Sequence, residues 1–228
     1  QAALADWRTN GKVRRLWAHD AGLWSGKDEA DWLGWLHVVE AQRENADVFR
    51  RLVDEAKKFR HVVVLGMGGS SLCPYLLRQT FGVVPGFPEL LVLDSIVPAQ
   101  VRAIDQAIDP TKTLFIVSSK SGGTTEPNVL KQYFFERAGR DGSRFLAITD
   151  PGTKLHQAAK DDHFRHILHG LPSIGGRYSA LSNFGIVPAA LMGIDVAKFL
   201  ESAEIMVQAC ASCVPPESIS QTNVLFRE

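Results

Sequence analysis

The sequence predicts an α/β fold, a doubly wound, mostly parallel five-stranded sheet with an N-terminal helical extension. Three observations predict it. Short apolar runs alternate with helical patterns at spacings that demand parallel crossovers. The run Val62–Leu65 is β-branched almost throughout, as a strand buried on both faces requires. Three turns rich in glycine or hydroxyl groups follow strands directly, where such sheets carry their ligands.

Residues 1–58 read as helical. Leu16, Trp17, Leu23, Trp24, Trp32, Leu33, Trp35, Leu36 and Val39 keep a rough helical spacing, and all five tryptophans lie in this stretch. The expectation is an amphipathic layer packed on the core. Glu40–Lys58 continues as one amphipathic helix. Residues 59–213 hold the α/β domain. Val62–Leu65 is its first strand and feeds Gly66–Ser71 and a helix over Leu72–Phe81. Leu90–Asp94 is the second strand, followed by a helix over Pro98–Ile108. Leu114–Ser118 is the third, with its helix at Asn128–Ala138. Arg144–Thr149 and Arg165–Leu168 are the fourth and fifth, separated by a helix at Leu155–Lys160. Gly175–Ser179 is a further glycine loop, ahead of helices at Leu181–Met192 and Val196–Ala211. Residues 214–228 read as the start of a linker. The chain has no initiator methionine and ends in an apolar stretch after Pro215 and Pro216, so more chain is expected to follow.

Composition narrows the function. The 228 residues carry 25 basic and 25 acidic side chains, which leaves no electrostatic footprint for nucleic acid or an anionic membrane. No apolar run is long enough to span a bilayer, and no secretory leader is evident. Three cysteines argue for a reducing compartment, so the expected location is cytoplasmic.

The stretch Phe115–Asn128, FIVSSKSGGTTEPN, holds the densest chemistry. It opens as a strand and closes as a helix. Ser119, Ser121, Thr124 and Thr125 can donate hydrogen bonds, Lys120 adds positive charge, and Gly122 and Gly123 let the backbone curl. Glu126 and Pro127 suit a first helical turn. A helix N-terminus with such donors can hold a phosphate; a polar loop with a good N-cap is the plainer alternative, and four hydroxyls around a glycine pair exceed what one cap requires. Gly66–Ser71 resembles the dinucleotide pattern, but Ser71 stands where the last glycine would be. In a doubly wound sheet, the three loops and Arg177 converge on one crevice.

Three segments carry a family resemblance. Val64–Pro74 (VLGMGGSSLCP), Val117–Pro127 (VSSKSGGTTEP) and Ile174–Gly185 (IGGRYSALSNFG) resemble, in order and spacing, the signatures of glucose-6-phosphate isomerases. The resemblance covers about residues 60–213. It implies the flavodoxin-like sugar isomerase (SIS) domain and an aldose–ketose isomerase of glycolysis and gluconeogenesis. The sugar phosphates concerned are glucose 6-phosphate and fructose 6-phosphate, converted through an enediolate without cofactor or metal. Ser119, Ser121, Thr124 and the backbone around Lys120 match the phosphate contacts, Gly69 and Ser70 the sugar site, and Gly176 and Arg177 the pair beside the reacting carbons. Arg15–Trp24 (RLWAHDAGLW) is similar to a bacterial form fused behind a transaldolase. The full-length protein is implied to be a homodimer.

The departures are equally specific. The family's base glutamate, ring-opening histidine and C-terminal lysine match nothing here, so the chain alone is expected to be inactive. Cys73 replaces a glycine of the family pattern. A non-catalytic SIS module that senses a sugar phosphate shares every binding loop and is the alternative. A dinucleotide oxidoreductase using Gly66–Ser71 and Asp94 lacks its last glycine. Cys210 and Cys213 have CxxC spacing without a second ligand pair, and read as packing residues. His163, His166 and His169 would not share a strand face. Cys73 lies near a helix start, which can lower a thiol pKa, although a buried inert thiol is the default.

Overall fold

The switch point of a parallel sheet organises the molecule. The computed structural model describes residues 2–211. Its strands are β1 (His61–Gly66), β2 (Glu89–Leu93), β3 (Thr113–Ser118), β4 (Phe145–Thr149) and β5 (His166–His169). All pairings are parallel, in the order β2-β1-β3-β4-β5. The strand order reverses between β1 and β3, and it is beyond the strand C-termini at such a point that sheets of this kind carry their ligands. The α/β expectation therefore holds, including the strand number.

The strands form because both faces are covered. On one face Val62, Val64, Leu114, Ile116, Leu146 and Ile148 pack with the helices Ala46–Ala56 and Asn183–Leu191. On the other, Val63, Leu65, Phe115, Val117, Phe145 and Ala147 pack with Thr125–Arg137 and Lys154–Asp161. Alternate residues go to opposite faces, so two covered faces require an unbroken apolar run. Phe115 stacks on both Phe134 and Phe145, with ring centroids 5.1 and 4.9 Å apart. From Phe184 to Leu191 every residue of the Asn183–Leu191 helix is buried. It passes through the middle of one layer.

Four expectations need correction. Glu40–Lys58 is two helices, Val38–Glu44 and Ala46–Ala56. They break at Asn45, whose Nδ2 donates 2.9 Å back to the Ala41 carbonyl, a local bond that competes with helix continuation. The helix after β3 begins at Thr125 rather than Asn128, since Pro127 fits a first turn. The segment after Gly175 is a 3-10 helix, Gly176–Leu181, and Ser182 caps the helix that follows. The tryptophan-rich extension is only partly a packed layer. Trp7, Trp24 and Trp32 are exposed, while Trp17 and Trp35 are half-buried. Residues 21–37 form three short 3-10 turns, which scatter the side chains that a regular helix would align. Among the described residues, no helix is long and apolar enough to cross a membrane.

Candidate functional site

The end of β3 builds the site. Ser118 is buried, and its hydroxyl donates 3.0 Å to the Ser70 carbonyl, tying β3 to the turn after β1. The Ser119 N–H donates 3.0 Å to the Ile148 carbonyl, and the Gly122 N–H 3.2 Å to the Ser119 carbonyl. The chain turns back at Gly122, where φ is +64° and a Cβ would stand 2.5 Å from Thr153. Only glycine meets both conditions.

This turn gathers three hydroxyls. Ser119 Oγ donates to Thr124 Oγ1 at 3.2 Å, and Ser121 Oγ lies 3.4 Å from the same atom. Thr124 is the N-cap of the 13-residue helix Thr125–Arg137, yet its side chain caps no N–H of that helix. The cluster thus borders first-turn N–H groups that the Thr124 side chain leaves uncapped. Donors and helix dipole together favour an anion. Thr125, the fourth hydroxyl, is exposed.

The Lys120 ammonium is engaged within the fold. It pairs with the Asp150 carboxylate and donates 3.4 Å to the Pro172 carbonyl. The Asp150 N–H donates 3.1 Å to the Lys120 carbonyl. Lys120 thus joins the ends of β3 and β4 through backbone and side chain, and its charge is offset. Asp150 escaped the sequence reading. The available signal was an acid placed directly after a buried strand, facing the lysine of the neighbouring loop.

The other two loops press on each other. Gly68–Ser70 forms a 3-10 turn. A Cβ on Gly69 would stand 2.1 Å from the Gly176 carbonyl oxygen. Ser179 Oγ donates to the carbonyls of Gly69, at 3.3 Å, and Gly176, at 2.7 Å. The close approach that Gly69 allows is therefore to the arginine loop. Ser70 is buried beneath it. Arg177 is exposed, and its side chain makes no hydrogen bond or ion pair among the described residues. The structure so brings Ser119, Ser121 and Thr124 into one cluster, and Gly69, Ser70 and Gly176 into another. Ser118 links the two.

Burial pushes the Cys73 thiol up to about 11, with its sulfur 3.7 Å from the Ala180 carbonyl, so burial outweighs the helix start. His163 lies in a turn before β5, with φ +53°. His166 Nε2 is 2.9 Å from Glu55, and His169 packs on His156 with centroids 4.9 Å apart. Asp94 is exposed at the end of β2. Cys210 is half-buried beside Met206, and Cys213 lies outside the described residues. Two hollows, about 580 and 960 Å³, lie away from these three loops. The first is beside Trp17 and His37, the second between Phe49, Phe87 and Val196.

Comparison with known proteins gives a consistent picture. Residues 51–225 match the family model described as phosphoglucose isomerase. A glucose-6-phosphate isomerase of Acaryochloris marina is 32% identical over 214 residues, which is 91% of this chain and 40% of that protein. Another, of Prochlorococcus marinus (strain NATL2A), is 34% identical over 67% of this chain and 30% of its own length. The chain thus spans less than half the length of these curated relatives. Among solved structures, a hypothetical protein of Thermus thermophilus aligns over 99% of this chain and 54% of its own, with a TM-score of 0.84 and 26% identity. A glucose-6-phosphate isomerase of Chlamydia trachomatis aligns over 95% of this chain and 42% of its own, with a TM-score of 0.70. At 23% identity, that likeness speaks for the fold alone.

Proposed function

Because the chain belongs to the phosphoglucose isomerase family, we propose that it supplies the phosphate-binding half of a site that interconverts glucose 6-phosphate and fructose 6-phosphate. The observation that carries this reading is the Ser119–Ser121–Thr124 cluster at the start of the Thr125–Arg137 helix. The three hydroxyls and the first-turn N–H groups donate to the phosphate, as charge-assisted bonds. Lys120, held by Asp150, fixes the loop and offers backbone rather than a free ammonium. Gly69 and Ser70 line the sugar, with Gly176 and Arg177 beside the reacting carbons.

Isomerisation moves a proton between two adjacent carbons through an enediolate. Negative charge builds on oxygen as the proton leaves. A guanidinium already in place stabilises that charge without reorganisation. The base, the ring-opening acid and the lysine belong to the portion of the family's length that this chain does not span. The chain alone therefore binds sugar phosphate without turning it over. We extend the reading to a whole protein that is a cytoplasmic, bacterial homodimer; a fusion behind a transaldolase rests on the Arg15–Trp24 resemblance alone, and the proposed domain limits of 1–58, 59–213 and 214–228 rest on the sequence pattern.

Calorimetric titration of glucose 6-phosphate into the chain tests the proposal. Ser119→Ala with Thr124→Ala removes two donors to a charged group, so affinity should fall at least about tenfold. An unchanged affinity in a folded double variant overturns it.

A further inference from the structure

We infer that Trp35, in the N-terminal extension, is a positioning residue that aims Arg177. The inference rests on the reading of Arg177 as the group that meets the enediolate charge. The Arg177 side chain makes no hydrogen bond or ion pair among the described residues, so what the fold fixes is the backbone from which it projects. That backbone is held from two sides. On the sheet side, Ser179 and Gly176 are fastened to Gly69.

On the other side, the extension forms a clamp. Leu33 and Ile174, both buried, make an antiparallel bridge. The Gly34 N–H donates 3.1 Å to the Ser173 carbonyl. The ring of Trp35 stacks on Tyr178, with centroids 5.8 Å apart and planes 19° from parallel. Tyr178 is the next residue after Arg177 and is 60% exposed. Water would otherwise surround its ring, and the indole is what fixes it. A half-buried indole packed on the core supplies a rigid platform with little entropy left to lose. Residues 33–35 and 173–178 thus form one unit across a long stretch of sequence. Fixing that backbone limits the positions the Arg177 guanidinium can reach.

Two measurements on the 228-residue chain test this. The first is limited trypsin digestion, followed at the bond after Arg177 by mass spectrometry. Trp35→Ala should speed that cleavage roughly three- to tenfold, the range that one aromatic pair supplies. Cleavage elsewhere should be unchanged. Trp35→Phe should restore the parental rate, and Tyr178→Leu should reproduce Trp35→Ala from the other partner. Unchanged cleavage after Arg177 in both Trp35→Ala and Tyr178→Leu overturns the clamp, whatever Arg177 does. So does faster cleavage at every site, which would mark Trp35 as a packing residue only.

The second is binding of 6-phosphogluconate against inorganic phosphate. Its carboxylate places negative charge where the enediolate oxygens would carry it. Trp35→Ala should weaken 6-phosphogluconate roughly three- to tenfold while leaving phosphate affinity unchanged. In the Arg177→Ala background, Trp35→Ala should cost nothing further. Additive losses, or equal losses for both ligands, overturn the positioning role. If Arg177→Ala itself leaves 6-phosphogluconate affinity intact, the reading of Arg177 fails instead, and the proteolysis result still judges the clamp.

Discussion

The carbonyl oxygen of Gly176 lies 2.1 Å from where a Cβ on Gly69 would stand. Two backbones meet there, and no side chain can yield. Gly69→Ala should therefore push the Gly66–Ser71 and Gly175–Ser179 turns apart. Overpacking of this kind costs about 1–3 kcal/mol. Thermal unfolding should show a lower Tm, and trypsin should reach Arg177 faster. A variant as stable as the parent would mean that the two loops are not in this contact.

Arg177→Ala, placed in a full-length relative of this chain, should lower kcat by about 10²–10³-fold, by analogy with the loss of one oxyanion-hole donor. KM should move little, since the hydroxyl loop holds the phosphate. Arg177→Lys should rescue in part, because an ammonium lacks the planar fork. Steady-state kinetics decide it, and a raised KM with unchanged kcat would assign Arg177 to ground-state binding.

His61 opens β1, is buried, and leaves its Nδ1 without a hydrogen-bond partner among the described residues. Burial, with Arg60 adding to it, holds its pKa below the usual histidine value. In the unfolded chain the ring takes up a proton near pH ~6.5, which the folded chain resists. Between the two pKa values the unfolded state binds more protons, so stability falls as pH drops below about 6.5 and levels off once the folded ring also protonates. Tm measured from about pH 7.5 to about pH 5 should fall less in His61→Phe than in the parent. Equal slopes would remove His61 from the acid sensitivity.

Cys73 should be chemically inert in the folded chain. With its pKa pushed up to about 11, only about one thiol in a thousand is ionised at pH ~8, and the thiolate is the reactive form. Iodoacetamide labelling with peptide mapping should leave Cys73 unmodified until denaturant is added. Rapid labelling of the native chain would contradict the burial.

The sheet was legible because its strands are covered on both faces. A run such as Val62–Leu65 admits few other readings, and β1, β3 and β4 fell within a residue or two of their expected limits. The hydroxyl loop was legible because its donors are adjacent in sequence. What stayed hidden depends on register between distant segments. Asp150 meets Lys120 only because β4 lies beside β3 in a particular alignment. Tyr178 meets Trp35 only once the extension has folded across the crevice end. The exposure of Trp24 and Trp32 was hidden for another reason. Short 3-10 turns carry no sustained apolar period, so spacing that looked helical did not define a face. Asn45 was readable as a helix breaker in principle, but its bond to Ala41 is visible only in the folded chain.

The most direct test of the central claim is a crystal structure of the chain with glucose 6-phosphate. The phosphate oxygens should lie within about 2.5–3.2 Å of the Ser119, Ser121 and Thr124 hydroxyls and the first N–H groups of the Thr125–Arg137 helix, with the sugar directed toward Gly69 and Arg177. A phosphate seated on the Gly66–Ser71 turn, in either hollow, or nowhere at saturating ligand would contradict it.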